Sequence, residues 1–460
     1  MRGRTGRDAG RRWAAFVLAP VLLGQGAWRP AAATIAYDVA AGVSETDNVR
    51  LTPTDKRSDT TTTLGFDLDW HEMQRLFQAD VMADLNYLRY LRNSYSPGVV
   101  GNFLGNGRFN LIPEKFTWMF SDNFGQQQIN PLAPVTPENR ENVNYFSTGP
   151  DVTLPLGSVA EMLMDGRYSR VSYQTTPLSS NRYTAGAGVR RELSSSSAIS
   201  INAQDELIRF AHTEINPDYD QQLAYLRYNA HGVRTRFDVQ VGIARLKLTD
   251  DTTSMAMARA EATRQLSPFS SLTLTAGHEY SDAGDDFRLL QALGGANLVT
   301  QAVQSTAAPF KNDYVTLAWK YQRERTGFGL DYGHYGMNYI ERTPQSNALS
   351  EKRNAFGANA TRRLTPLLDA SLIVTYERDS FVQAANDSNM FTGTAQLTWR
   401  ASQRLSVITE YAHQRRQSEI RTSEYQDNVV WLRLTYGRVA QAPTGSVVPQ
   451  LPVLPNQTGY

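Results

Sequence analysis

The stretch Asn428–Tyr436, which reads NVVWLRLTY, decides the fold of the chain. Large apolar side chains occupy alternate positions in it, at Val430, Leu432, Leu434 and Tyr436. Because successive side chains of a β-strand point to opposite faces, the stretch predicts a strand with one apolar and one mostly polar face. A second stretch of this kind, Ile35–Ser44, lies far earlier in the chain. Pairing of these two strands would close a sheet into a barrel that has no open edge.

The same alternation recurs between these two stretches, and the connections between the predicted strands alternate in length. Short connections are predicted near residues 155–158, 194–197, 231–233, 267–270, 323–325, 365–367 and 401–404. Longer polar ones are predicted near residues 175–181, 212–218, 249–252, 282–312, 342–351, 379–387 and 417–426. This rhythm is typical of an all-β transmembrane antiparallel up-and-down β-barrel with short periplasmic turns and long outer loops. We expect about 18–20 strands, the lower number applying if the weak stretches near Val100 and Ser147 are not strands.

The composition fits a barrel better than a helical membrane protein. Hydrophobic residues make up 41% of the chain, and the mean hydropathy is −0.43. No run of about 18 apolar residues follows the amino terminus, so the sequence predicts no transmembrane helix there. The chain has no cysteine, which excludes disulfides and thiolate metal sites, and its net charge of +1 gives no basic footprint for nucleic acid. A soluble β-sandwich or propeller is the alternative, disfavoured by the many consecutive hairpins.

The chain divides into three predicted segments. Residues 1–33 combine an arginine-rich start, a short apolar stretch and the sequence Ala31-Ala32-Ala33, which is typical of a cleavable signal peptide. Residues 34–437 form the predicted barrel. Residues 438–460 contain four prolines and no alternation, so we expect a disordered periplasmic tail that is either solvated or docks a periplasmic partner. An even strand number places both termini on the periplasmic side of a bacterial outer membrane.

Charged residues opposite the apolar face are the candidates for lining the lumen. A Lys or Arg facing lipid near the midplane would cost about 2–4 kcal/mol, so we expect these charges to face inward. Mixed signs would give a salt-bridge network, a polar channel wall, or both. The candidates are Asp67, Asp69, Asp80, Asp84, Glu161, Asp165, Arg167, Arg259, Glu261, Glu279, Lys320 and Asp331.

The longest predicted connection begins with an acidic cluster and continues with an apolar stretch. Asp282, Asp285 and Asp286 would form a solvated loop tip, the favoured interpretation, or would bind Ca²⁺ or bridge lipopolysaccharide through divalent ions. The following stretch is too apolar for a freely solvated tip. It would fold inward as a constriction or pack over the barrel mouth as a short helix. The constriction candidates are Phe287, Leu289, Leu290, Leu293, Leu298 and Val299.

No constellation in the sequence predicts catalysis or a cofactor. The six histidines are dispersed, none at metal-ligand spacing, and no hydrolase or phosphate-binding motif is present. A Ser/His pair assembled across strands is the enzymatic alternative that spacing does not reveal. The expected partners are outer-membrane lipid and lipopolysaccharide, the barrel assembly machinery acting on the strand that ends at Tyr436, and a polysaccharide or small solute. Nucleic acid is not among them.

Three short motifs add a resemblance to a known family. They are GVSETDNVRL at Gly42–Leu51, Asn139-Arg140 and Gly149-Pro150. Together with the barrel pattern over residues 34–437, they resemble the porin-like outer-membrane barrels associated with exosortase/PEP-CTERM systems. The resemblance implies a role in exopolysaccharide production or surface-protein sorting in a Gram-negative envelope, and it brings no catalytic residues.

Two functions are open at this point. The chain would be a channel, as a diffusion porin or an export conduit for polysaccharide, or a non-conducting barrel that organises envelope partners. A plug-bearing transporter is disfavoured, because no plug-sized segment precedes the first predicted strand.

Overall fold

The computed structural model describes residues 34–249, 251–292, 306–340, 349–382 and 387–438, and twenty antiparallel strands within them form one sheet. The strands are β1 (Thr34–Thr46), β2 (Asp59–Met73), β3 (Phe77–Tyr90), β4 (Gly98–Ile112), β5 (Phe116–Gln128), β6 (Arg140–Pro155), β7 (Ala160–Tyr173), β8 (Ser180–Ser194), β9 (Ser197–Phe210), β10 (Tyr219–His231), β11 (Thr235–Lys247), β12 (Thr252–Ser267), β13 (Ser270–Ser281), β14 (Phe310–Arg323), β15 (Thr326–Tyr339), β16 (Glu351–Thr365), β17 (Leu368–Phe381), β18 (Ser388–Arg400), β19 (Leu405–Ser418) and β20 (Tyr425–Arg438). The helix α1 (Ala283–Ala292) and 3₁₀ turns at Pro137–Asn139 and Arg421–Ser423 lie in connections. None of the described helices combines the length and the hydropathy that a membrane crossing requires.

The first and last strands pair and close the sheet into a barrel. In the β1–β20 register, Val39 lies opposite Tyr436 and Val43 opposite Leu432. Every other strand pairs with its neighbours in sequence. The prediction of an up-and-down barrel is therefore confirmed. The weak stretches near Val100 and Ser147 belong to the full strands β4 and β6, so the strand number is twenty, the upper value of the predicted range.

The two faces of the sheet differ as the alternation predicts. On the outer face, Leu434 is 47% exposed and Leu317 is 41% exposed. On the inner face, polar and charged side chains alternate with these positions. Apolar side chains on this face are shielded from solvent, as shown by Met257 of β12, which is only 1% exposed. Since closure pairs the backbone groups of all strands, the barrel can present an apolar outer surface without unsatisfied N–H or C=O groups.

The connections alternate in length around the barrel. We call the end with the short connections, such as 195–196, 268–269 and 324–325, the turn end, and the opposite end the loop end. Thr34 and Arg438, the first and last described residues, lie at the turn end. The predicted signal peptide, and the predicted tail beyond residue 438, lie outside the described residues.

A clasp of polar side chains closes the seam between β1 and β20 at the loop end. Asn428 donates through its backbone N–H and its Nδ2 to the carboxylate of Asp47, at 2.9 and 2.6 Å. The buried Asn48 donates through Nδ2 to the carbonyl oxygens of Thr52 and Gln426, at 2.8 and 3.0 Å. The Asp-Asn pair of the motif Gly42–Leu51 therefore holds the closure of the barrel.

The motif Gly149-Pro150 lies within β6 where the sheet is irregular. Thr148 pairs with Tyr168 and Asp151 with Asp165, but the two motif residues between them form no regular pairs with β7. A Cβ at Gly149 would lie 1.9 Å from the carbonyl oxygen of Gly166, so only glycine fits there. The carbonyl oxygen of Pro150 accepts a hydrogen bond from Arg167 instead, at 2.8 Å.

Candidate functional site in the barrel lumen

The predicted lumen candidates lie on the face opposite the exposed apolar side chains, and many are paired with residues that the sequence did not single out. Asp67 accepts from Arg433 at 2.7 Å, and Glu161 pairs with Arg190 at 2.8 Å. Arg167 pairs with Asp151. The two candidates Arg259 and Glu279 pair with each other. Opposite charges thus meet on the inner wall, across neighbouring strands in three pairs and across the intervening β1 in the Asp67–Arg433 pair.

Other lumen candidates are held differently. Asp69 and Asp80 flank His71, whose Nε2 and Nδ1 lie 2.7 and 3.1 Å from their carboxylates. Asp84 accepts from the amide of Asn86. The remaining candidates have no ion pair within the described part of the chain; they are Asp165, Glu261, Lys320 and Asp331.

The connection after β13 folds into the lumen, and Asp282 holds it there. The Asp282 carboxylate accepts from the backbone N–H groups of Gly284 and Asp285, at 2.8 and 2.9 Å, and so caps the amino end of α1. The same carboxylate accepts two hydrogen bonds from Nη2 of Arg182, at 2.6 and 2.7 Å, and one from the hydroxyl of Tyr219. One side chain therefore starts the helix and fastens it to β8 and β10.

Arg182 is the centre of this anchor, which we call the α1 latch (Arg182, Tyr219 and Asp282). Arg182 is 2% exposed, and it also lies 3.2 Å from Asp285 and 3.8 Å from Glu206. Burying an arginine is costly unless carboxylates compensate its charge. Here two of the compensating carboxylates, those of Asp282 and Asp285, come from the inward connection, so Arg182 and the connection depend on each other.

An apolar contact supports the latch. Phe287, on the first turns of α1, is 4% exposed and packs in a cluster with Val143, Tyr145, Val171, Tyr173 and Leu178. These residues lie on the inner face of β6 and β7 and in the connection that follows. Burial of a phenylalanine side chain contributes about 1.5–3 kcal/mol. Arg288 lies over the Tyr145 ring at 5.7 Å from its centroid, which adds a cation–π contact.

Asp286 faces the other side of the lumen. It is 8% exposed, and Nδ2 of Asn312 on β14 lies 3.5 Å from its Oδ1. Burial raises the pKa of Asp286 to about 7, with Arg353 opposing this rise and Glu279, Asp285 and Asp282 adding to it. Burial would also raise the pKa of Asp282, but Arg182 and the hydrogen bonds from Arg182 and Tyr219 bring it below its ordinary value.

The favoured interpretation of the acidic cluster as a solvated loop tip was wrong. Asp282 and Asp286 are 3% and 8% exposed, because arginine, tyrosine and asparagine side chains on the inner wall supply their partners. Of the constriction candidates, Phe287 lies in the lumen contact described above, and Leu289 and Leu290 belong to α1. Leu293, Leu298 and Val299 lie outside the described residues.

A second connection folds inward, which the sequence analysis missed. Residues 129–139 reach across the loop end, where Arg416 on β19 donates to the carbonyl oxygens of Ala133 and Pro131, at 3.0 and 3.3 Å. Ser423 donates to the carbonyl oxygen of Leu132 at 2.8 Å. Asn139, from the motif Asn139-Arg140, donates to the carbonyl oxygens of residues 130 and 134 and holds the connection in shape. The sequence feature that indicates a fixed conformation for residues 129–139 is their three prolines.

Below α1 the lumen contains a series of adjoining polar cavities. A cavity of about 140 Å³ is lined by Arg288 of the helix and by serine, threonine and glutamine side chains of the wall. Arg167 and Gln204 are shared with a second cavity of about 80 Å³. Asn202 and Arg227 are shared between the second cavity and a third of about 60 Å³, which extends to Lys115 at the turn end. The three cavities therefore adjoin one another between α1 and the turn end.

The family comparison matches the carboxy-terminal part of this barrel. Residues 316–438, from β14 to the end of β20, match the family model described as "Putative beta-barrel porin 2". Over these residues the barrel is similar to porin-like β-barrels. Among curated proteins, none is significantly similar to it.

Solved structures that resemble most of this chain include two bacterial iron-uptake proteins and OccK2. A single-site mutant of the ferric enterobactin receptor PfeA of Pseudomonas aeruginosa is 9% identical with a TM-score of 0.44, covering 89% of this chain and 81% of that one. OccK2 (OpdF) of the same organism is 9% identical with a TM-score of 0.38, covering 88% and 98%. The FrpB iron transporter of Neisseria meningitidis is 10% identical with a TM-score of 0.42, covering 87% and 81%. These values are too low to support an inference about solutes.

Proposed function

We propose that the protein is an outer-membrane channel whose conductance is limited by α1. The observation that carries this proposal is the α1 latch, which holds a helix inside the lumen directly above a series of polar cavities. A helix fastened by side chains can move away from the wall without breaking the barrel, because none of the latch contacts belongs to the strand pairing. Barrels of sixteen to eighteen strands already leave an aqueous channel, so a barrel of twenty has room beneath the helix.

The solute and the cellular context are extensions of this proposal. The resemblance of the motifs at residues 42–51, 139–140 and 149–150 supports a place in envelope polysaccharide production, as an export conduit, or in an exosortase/PEP-CTERM system. With an even number of strands, both ends of the barrel chain lie on one side, which we assign to the periplasm. The lumen-facing charges would then line the route of the solute.

A non-conducting barrel that organises envelope partners is the second candidate. The extensive pairing of charges on the inner wall favours it, since Arg167, Arg190, Arg259 and Arg433 all have carboxylate partners. In this alternative the inward connections would seal the lumen permanently.

The test is single-channel conductance of the refolded mature barrel in planar bilayers. Replacing residues 283–308 by a short Gly-Ser linker is compatible with the barrel, because Ser281 and Phe310 pair directly. We expect a small conductance for the wild type and a severalfold larger one for this variant. If the variant folds and still conducts no ions, the channel proposal is wrong and the structural alternative stands.

A further inference from the structure

Two arginines flank a threonine on the outer face of the barrel at the turn end. In the register of three successive strands, Thr326 of β15 pairs with Arg323 of β14 on one side and with Arg362 of β16 on the other. Paired residues point to the same face, and neighbouring strands are about 4.8 Å apart, so the two arginine positions are roughly 10 Å apart. Arg362 donates to the Thr326 hydroxyl at 3.4 Å. We call these three residues the Arg-Thr-Arg site.

Neither arginine has a carboxylate partner in the described part of the protein. Asp369 pairs with Arg363 in the register and so lies on the inner face, where it contacts Arg363 at 3.5 Å and Arg400. Arg323 instead lies over the ring of Phe269, at 5.7 Å from its centroid. Both arginines are exposed to the surroundings of the barrel. Two such cations on one face, at the boundary of an apolar surface, attract an anion from the membrane.

An apolar surface of aromatic rings begins directly beside these arginines, on the side toward the middle of the barrel. Trp319 and Tyr321 of β14 stack with centroids 6.3 Å apart, and Tyr321 contacts Phe328 of β15 at 6.1 Å. Phe328 is 44% exposed. Aromatic rings of this kind lie at the boundary between lipid headgroups and acyl chains. The surface therefore combines a place for a phosphate with a place for the chains attached to it.

We propose that the Arg-Thr-Arg site binds the phosphate of an anionic glycerophospholipid, with the acyl chains lying over Trp319, Tyr321 and Phe328. The guanidinium groups supply the donors that phosphate oxygens prefer, and the Thr326 hydroxyl lies between them. The site is at the turn end, the side we assign to the periplasm, whose leaflet presents phospholipid rather than lipopolysaccharide. The site is independent of α1 and of conduction.

The experiment is native mass spectrometry of the mature barrel taken from vesicles that contain equal amounts of phosphatidylglycerol and phosphatidylcholine. We expect the wild type to retain phosphatidylglycerol preferentially, and the Arg323→Gln/Arg362→Gln variant to lose this preference by roughly tenfold. The Arg323→Lys/Arg362→Lys variant should retain most of it. Heat-dependent electrophoretic mobility checks that each variant forms the barrel.

The matched control removes two outward cations from the loop end, as Lys352→Gln/Arg415→Gln. This variant should keep the wild-type preference, because it loses the same charge away from the site. An equal loss in both double variants, or no loss in Arg323→Gln/Arg362→Gln, would overturn the proposal. In a parallel incubation with lipid A, retention of lipid A that equals or exceeds that of phosphatidylglycerol, and that Arg323→Gln/Arg362→Gln abolishes, would overturn the assignment to phospholipid.

Discussion

Replacing Arg182 with methionine will release α1 from the wall and raise the single-channel conductance severalfold. The substitution leaves the buried carboxylates of Asp282, Asp285 and Glu206 without their cation. Breaking a buried ion pair by removal of one partner costs about 3–5 kcal/mol, more than the burial of Phe287 contributes. The helix can avoid this cost by moving its carboxylates into the aqueous lumen. The measurement is conductance in planar bilayers, with trypsin sensitivity of α1 as a second readout.

The matched control for this variant is Arg190→Met. Arg190 also pairs with a carboxylate on the inner wall, Glu161, but it lies near the turn end and away from α1. It should change ion selectivity slightly and leave the conductance close to the wild type. Equal increases in conductance for the two variants would mean that lost lumen charge, rather than movement of α1, is responsible.

Acidification from pH 7.5 to pH 5 will lower the conductance severalfold. The pKa of Asp286 is about 7 when α1 lies against the wall, compared with an ordinary value of 3.8. Between about pH 4 and pH 7, Asp286 therefore holds a proton when α1 lies against the wall and has lost it when α1 has moved into the aqueous lumen. The attachment of α1 to the wall thus weakens as the pH rises. The pKa of Asp285 is also raised, chiefly by burial, which acts in the same direction. The pKa of Asp282 is lowered, so protonation of Asp282 weakens the attachment of α1 only below this pH range.

The variant Asp286→Asn isolates this effect. It keeps the size of the side chain but removes its titration, so the conductance should depend much less on pH between 5 and 7.5. The control is Asp165→Asn, a carboxylate on the inner wall that has no ion pair in the described structure and lies away from α1. A pH dependence that persists unchanged in Asp286→Asn would show that another group controls it.

The barrel could be predicted from the sequence because the pattern that produces it is local and recurs in every strand. Each strand alternates apolar and polar residues with a period of two, as in Val430–Tyr436, and each turn interrupts the alternation. The same pattern predicted which face of the closing strand is apolar, since a shift by one residue would turn Leu432 and Leu434 into the lumen, but it did not predict the register itself. The predicted connections agree with the observed ones to within a few residues, for example 401–404.

The arrangement inside the lumen could not be predicted in this way. The latch joins Arg182 to Asp282 across 100 residues, and Arg416 meets the connection 129–139 across more than 280. Such contacts leave no periodic signal, because each depends on how far a connection reaches across the barrel. The composition of the stretch that begins at Phe287 indicated that it is too apolar to be a solvated loop. It did not identify the acidic residues before it as the anchor, since a carboxylate run is compatible with a solvated tip.

The motifs that carried the family resemblance have structural explanations in this chain. Asp47 and Asn48 clasp the seam, Asn139 shapes an inward connection, and Gly149 allows a close approach to β7. These roles account for the residue types without reference to a polysaccharide. The proposed envelope context therefore rests on the resemblance alone.

A reversible tether between α1 and the wall tests the central claim, that α1 limits the conductance by its position. A Cβ at Gly284 would lie 3.2 Å from Cγ2 of Val171, which suits a disulfide between Gly284→Cys and Val171→Cys, and the chain has no other cysteine. These substitutions are made together with Arg182→Met. We predict a small, wild-type conductance when the tether is oxidised and a severalfold larger one after reduction. The same conductance in both states, with the disulfide confirmed by mass spectrometry, would contradict the account.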